Sequence, residues 1–132
     1  MLHGHCYCGE ITYTVDDVLG DAILCHCTTC QRMNTGMSHN VVSQVDKLVV
    51  TSPQKPKVYV DTNTTTGKPM HRNFCPTCGS SLFVTQDNTL YLKTGALDEG
   101  KLAKIKAQIY SEDALDGMVK DGVPQIVVFK KP

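Results

Sequence analysis

Apolar and polar residues alternate over short stretches of this chain and do not recur at helical spacing. The clearest case is Ile11-Thr12-Tyr13-Thr14-Val15, apolar at every second position, which predicts a strand with one buried face. Similar strands are predicted at 47–51, 57–60, 80–85 and 89–94. Turn formers separate them: Ser52-Pro53, the threonine-rich 61–67, Gln86-Asp87-Asn88, and Gly95. The segment 104–110 alternates Ile105, Ala107 and Ile109 with polar residues, and 125–129 is a further β-rich stretch. No 3.6-residue period lasts three turns; one helical turn is expected at 28–33 and another at 98–103. The pattern predicts a mainly β fold of antiparallel strands.

Length and composition narrow this picture. The chain has 132 residues, 41% of them hydrophobic, which is enough for one core and too little for two ordinary domains, so 1–132 is expected to form a single domain. Three Phe, five Tyr and no Trp leave the core mostly aliphatic. The 13 basic and 13 acidic residues balance without a basic patch, which argues against nucleic acid as a partner. The apolar runs fall far short of the roughly 20 residues of a membrane helix, and Met1 to Cys6 lacks the features of a secretory leader. A reducing, cytoplasmic setting is expected.

The seven cysteines change the picture most. They fall into Cys6-Tyr7-Cys8, Cys25-His26-Cys27-Thr28-Thr29-Cys30 and Cys75-Pro76-Thr77-Cys78. Cysteines one or two residues apart direct sulfurs at one point, as tetrahedral zinc requires, whereas a disulfide between such close neighbours strains the backbone. Seven divides into four and three. Cys6-x-Cys8-Gly9 and Cys75-x-x-Cys78-Gly79 are half-sites of knuckle shape, so Cys6, Cys8, Cys75 and Cys78 are expected to hold a closed structural zinc.

The triplet Cys25, Cys27 and Cys30 would hold a second zinc and leave one vertex open. A thiol placed there loses its proton more readily than a free thiol of pKa about 8.5, which suits chemistry at carbon–sulfur bonds. A fourth ligand from His26, His39, His71 or Asp21 would instead close the site, with His26 expected to face away. The chain's two arginines, Arg32 and Arg72, border the cysteine groups. Arg32 is the candidate for a substrate carboxylate such as glutathione's, although arginine near thiolates also serves to neutralise them.

These residues resemble a known family. Gly4-His5-Cys6-Tyr7-Cys8-Gly9-Glu10-Ile11, Cys25-His26-Cys27-Thr28-Thr29-Cys30-Gln31-Arg32 and Arg72-Asn73-Phe74-Cys75-Pro76-Thr77-Cys78-Gly79-Ser80, with Gly95-Ala96-Leu97-Asp98 later, are similar in order and spacing to the glutathione-dependent formaldehyde-activating enzymes and centromere protein V. The resemblance spans about residues 4 to 110. It implies a β-tent fold and two zinc ions per chain, one on the first and third cysteine groups and one on the middle triplet. It also implies carbon–sulfur lyase activity on a glutathione conjugate such as S-hydroxymethylglutathione, with Cys25, Cys27 and Cys30 carrying the chemistry. Many members have Pro-x-x-His-Ile and a following tryptophan, where this chain has Ala107-Gln108-Ile109-Tyr110, then Leu115 and no Trp.

Two other functions fit part of the pattern. A non-catalytic zinc module that binds a protein partner through its sheet would need a fully ligated, exchange-resistant metal. A thiol redox enzyme would need a metal-independent nucleophilic cysteine, which clustered cysteines do not offer.

Overall fold

The computed structural model describes residues 1–126, so Val127, Val128 and Phe129 of the predicted terminal β segment lie outside the described residues. Alternation becomes strand pairing at once in the smaller of two sheets. Strand β2 (Thr12–Val15) pairs antiparallel with β1 (Leu2–His5) on one side and β5 (Leu48–Val50) on the other. Tyr13 and Val15 of β2 are buried, whereas Thr12 and Thr14 are only partly so.

The larger sheet has eight strands. They are β3 (Ala22–Cys25), β4 (Ser38–Gln44), β6 (Lys57–Asp61), β7 (Met70–Phe74), β8 (Ser81–Gln86), β9 (Thr89–Lys93), β10 (Ile105–Ile109) and β11 (Gln125–Ile126), in the order β11-β10-β3-β4-β9-β8-β7-β6. Most neighbours run antiparallel, but β10 lies parallel to both β3 and β11. The expected helical turn is α1 (Thr28–Asn34), and the one near 98–103 is a 3-10 turn at Gly100–Leu102.

One hydrophobic cluster joins the sheets. Leu2, Tyr13 and Val15 of the small sheet meet Ala22, Val41, Phe83, Leu90 and Leu92 of the large one. Tyr13 and Phe83 cross edge to face, with centroids 5.1 Å apart at 74°, a favoured aromatic geometry. Cys6 and Cys75 belong to the same cluster and are fully buried, so the ligand half-sites are anchored in the core.

The other face of the large sheet is different in kind. Register sets Ser38 opposite Cys25, Asn40 opposite Lys93, Val84 opposite Tyr91 and Arg72 opposite Val84. Directly opposed residues share a face, and all of these line one cavity. Four strands were not anticipated: β1, β3, β4 and β7. In β4 and β7, cavity-facing polar residues take the positions where an ordinary half-buried strand would alternate, as in Ser38-His39-Asn40 and His71-Arg72-Asn73.

Candidate active site

The closed cysteine cluster is built by two tight turns. The Cys6 amide donates to the Ile11 carbonyl at 3.1 Å and Cys75 to Ser80 at 3.0 Å, each turn relaxing through a glycine, Gly9 at φ 80° and Gly79 at φ 79°. Tyr7 N–H donates to Ser80 Oγ at 3.0 Å, and Thr77 Oγ1 donates to the Glu10 carboxylate, locking the turns together. All four sulfurs lie within 4.8 Å of one another. Cys6 to Cys8 is 3.5 Å and Cys8 to Cys75 is 3.8 Å, close to the roughly 3.8 Å edge of a tetrahedron with 2.3 Å zinc–sulfur bonds. Backbone amides also point at sulfur: Ile11 to Cys6 at 3.2 Å, and Thr77 and Cys78 to Cys75 at 3.4 Å. The Ser80 hydroxyl draws Cys78 down to about 5, while crowding by the other thiols leaves Cys8, despite a favourable Glu10 amide, pushed up to about 12. Four sulfurs so placed cannot all ionise without a cation between them, and the donor set fits zinc.

The triplet forms where β3 runs into α1. Cys25 ends the strand, Cys27 is the helix N-cap with extended backbone (φ −63°, ψ 158°), and Cys30 lies one turn on. The Cys30 amide donates to Cys27 Sγ at 3.3 Å, Cys27 and Cys30 sulfurs are 3.1 Å apart, and Ser38 Oγ donates to Cys30 Sγ at 3.3 Å. Thiol donation from Cys25 and Cys30 draws Cys27 down to about 2, and crowding by Cys27 and Cys30 pushes Cys25 up. Three sulfurs held within 4.8 Å of one another are a donor set suited to a thiophilic cation.

No His, Asp or Glu among the described residues joins this triplet. His26 is fully buried, and its Nε2 lies 3.1 Å from Gln108 Oε1. Gln108 Nε2 donates to the carbonyls of Lys120 and Val123, so its Oε1 is the acceptor and His26 Nε2 carries the proton. His71 faces a separate, shallower depression beside Phe83 and Val58.

The triplet opens into a cavity of about 650 Å³. Arg32 is exposed on α1 and is not part of the cavity lining, whereas Arg72 is. Arg72 donates through Nη2 and Nε to Asp61 Oδ2 at 2.9 and 3.1 Å, a largely buried ion pair. Two lining residues carried no sequence signal. Lys93 is only 9% exposed; burial lowers its pKa, and the Cys30 charge works in the opposite direction. Asn40 stands opposite it on β4. Ile109 and Tyr110, from the segment where this chain departs from the motif, form another part of the wall. Tyr110 holds a left-handed backbone (φ 56°), and burial, followed by the negative charge of the cysteine triplet, raises its pKa. Register explains why Lys93 was illegible: it reaches the triplet across strands, at a sequence distance that no local motif spans.

Comparison with known proteins agrees with this architecture. A crystal structure of a Rhodobacter sphaeroides protein matches with a TM-score of 0.59 at 19% identity, over 94% of this chain and 99% of that one, which speaks to the fold alone. No curated protein matches this chain. The model of the glutathione-dependent formaldehyde-activating enzyme family matches residues 1–113, most of the chain and both cysteine clusters, and the chain belongs to that family.

Proposed function

We propose that the protein is a zinc-dependent carbon–sulfur lyase acting on a thiol adduct, most simply a glutathione conjugate such as S-hydroxymethylglutathione. The observation that carries this reading is a triplet of cysteines, without a fourth protein ligand among the described residues, opening into a cavity of substrate size. Cys25, Cys27 and Cys30 would hold the reactive zinc, and Cys6, Cys8, Cys75 and Cys78 a structural one. Bound at the triplet, zinc would supply Lewis acidity that keeps a substrate thiol ionised at neutral pH.

The chain's own residues complete the site. Lys93 brings positive charge beside the sulfurs in a poorly hydrated wall, where an anionic thiolate gains more from it than in bulk water. Arg72, which lines the cavity with Asp61 fixing its plane, would meet a carboxylate of a peptide thiol in the role expected of Arg32. Threonines 64–66 line the cavity from the loop between β6 and β7 and offer hydroxyls to peptide groups. In cleavage the C–S bond breaks with its electron pair going to sulfur, the hydroxyl oxygen becomes the aldehyde carbonyl, and its proton is released; formation is the reverse. All seven cysteines are free, as a reducing cytoplasm would keep them.

The test is metal counting by mass spectrometry on protein purified without chelator, with glutathione added to part of the sample. Two zinc ions per chain, with glutathione retained by wild type and lost in Cys27→Ala, is the expected result. One firmly held zinc with Cys25, Cys27 and Cys30 open to alkylation would reject the lyase reading and leave a non-catalytic zinc module.

A further inference from the structure

Beside the triplet lie a buried amide oxygen without a partner and a lysine ammonium that meets no counter-ion among the described residues. Asn40 and Lys93 face each other across β4 and β9 and both line the cavity. The Asn40 amide orientation follows from its neighbours. Ser38 gives its hydroxyl hydrogen to Cys30 Sγ, so its oxygen accepts from Asn40 Nδ2 at 2.9 Å. That turns Asn40 Oδ1 the other way, buried and without a partner. Lys93 is a largely buried residue whose side chain lines the cavity, and its ammonium has no hydrogen bond or ion pair with the described residues. A lone buried acceptor is costly, and a cationic donor at a largely buried cavity wall stands ready beside it; a ligand in the cavity can supply the partners of both.

We propose that Asn40 and Lys93 form a hydroxyl-reading subsite that selects hemithioacetals, thiol adducts with a hydroxyl on the carbon bonded to sulfur, over plain thioethers. The inference rests on the lyase reading and adds the residues that set its substrate class. A hydroxyl is both donor and acceptor, so it can give its hydrogen to Asn40 Oδ1 and take one from Lys93 Nζ. A carboxylate would suit Lys93 but would set its lone pairs against Asn40 Oδ1. An ammonium would suit Asn40 but meet Lys93 as a like charge. A plain thioether would leave both groups unpaired. Because Ser38 couples Asn40 to Cys30, the hydroxyl would be read within one hydrogen-bond chain of the sulfurs that meet the thiol. Once the adduct splits, the free aldehyde has no hydrogen to offer Asn40, so the subsite favours the adduct over its product.

The experiment compares two ligands on the metal-loaded protein by NMR titration. One is S-methylglutathione, which has the sulfur and carbon but no hydroxyl; the other is S-hydroxymethylglutathione formed in glutathione–formaldehyde mixtures. Lys93→Met and Asn40→Leu are each expected to weaken the hydroxymethyl adduct at least about tenfold, with S-methylglutathione changed less than about twofold. Equal weakening of both ligands, or of neither, overturns the subsite while leaving the lyase reading standing. Wild-type protein that binds neither ligand overturns the lyase reading itself. Should Asn40→Leu fail to hold its metals, Lys93→Met decides the matter alone.

Discussion

Gly4 shows how little freedom a single residue has where the two sheets close. A Cβ there would lie 2.2 Å from Cζ of Tyr13, a ring already fixed against Phe83. Gly4→Ala should therefore destabilise by about 1–3 kcal/mol or more, read as a lower urea midpoint with unchanged slope; an unchanged midpoint would mean that the ring moves freely. Asp17 offers a residue-scale pH test. Ser43 Oγ donates to its Oδ2 at 2.6 Å and Lys47 lies 3.6 Å away; the Ser43 bond, with burial opposing it, holds the carboxyl below the usual range. A depressed folded-state pKa contributes stability above the unfolded value near 3.9, lost as pH falls through the folded value. Ser43→Ala should thus cost most at neutral pH and least once Asp17 is protonated in the folded state, so the stability gap between the two proteins should narrow on acidification; a constant gap would rule out the linkage. The cysteines were legible one residue at a time because metal ligation imposes short, local spacings. Asn40 and Lys93 were not, since their pairing exists only through strand register.

At the scale of elements, alternation identified strands that set an apolar residue toward the core at every second position, such as β2 and β9. It failed in β4 and β7, where runs of consecutive polar residues mask the alternation. Ser38, Asn40 and Arg72 fall in no predicted strand, yet they lie in the large sheet and line the cavity. The parallel placement of β10 beside β3 was also beyond reach, because both neighbours of a crossover strand depend on a long connection. The structure pins this region through Gln108, fully buried on β10. Its side chain binds the carbonyls of Lys120 and Val123, the Lys120 amide and His26. Gln108→Leu removes all four contacts and leaves their backbone partners unsatisfied. Amide exchange of Lys120 and neighbouring residues should accelerate by at least about tenfold in this variant, with β2 and β9 unchanged. Equal acceleration across the whole chain would instead mark a global loss of stability.

For the whole molecule, the two cysteine clusters occupy different mechanical positions, and that difference predicts separate responses to metal removal. Cys6 and Cys75 are members of the core cluster and join the small sheet's turn to that of β7 and β8. The triplet lies on the opposite face of the large sheet, at the cavity wall. A chain of 132 residues with no Trp and few Phe would gain a substantial share of its stability from a metal crosslink there. Cys75→Ala should therefore lose metal and fold together, seen as collapse of the dispersed amide spectrum. Cys27→Ala should lose one metal and the N-cap of α1 while the core remains, at a cost of about 1 kcal/mol from the cap. With a zinc at each cluster, as proposed, graded chelation of the wild type should follow the same order, the first ion leaving without unfolding and the second with it. Loss of both metals in a single cooperative step would show instead that the cavity face and the core are one folding unit, and that the triplet is as structural as its neighbour.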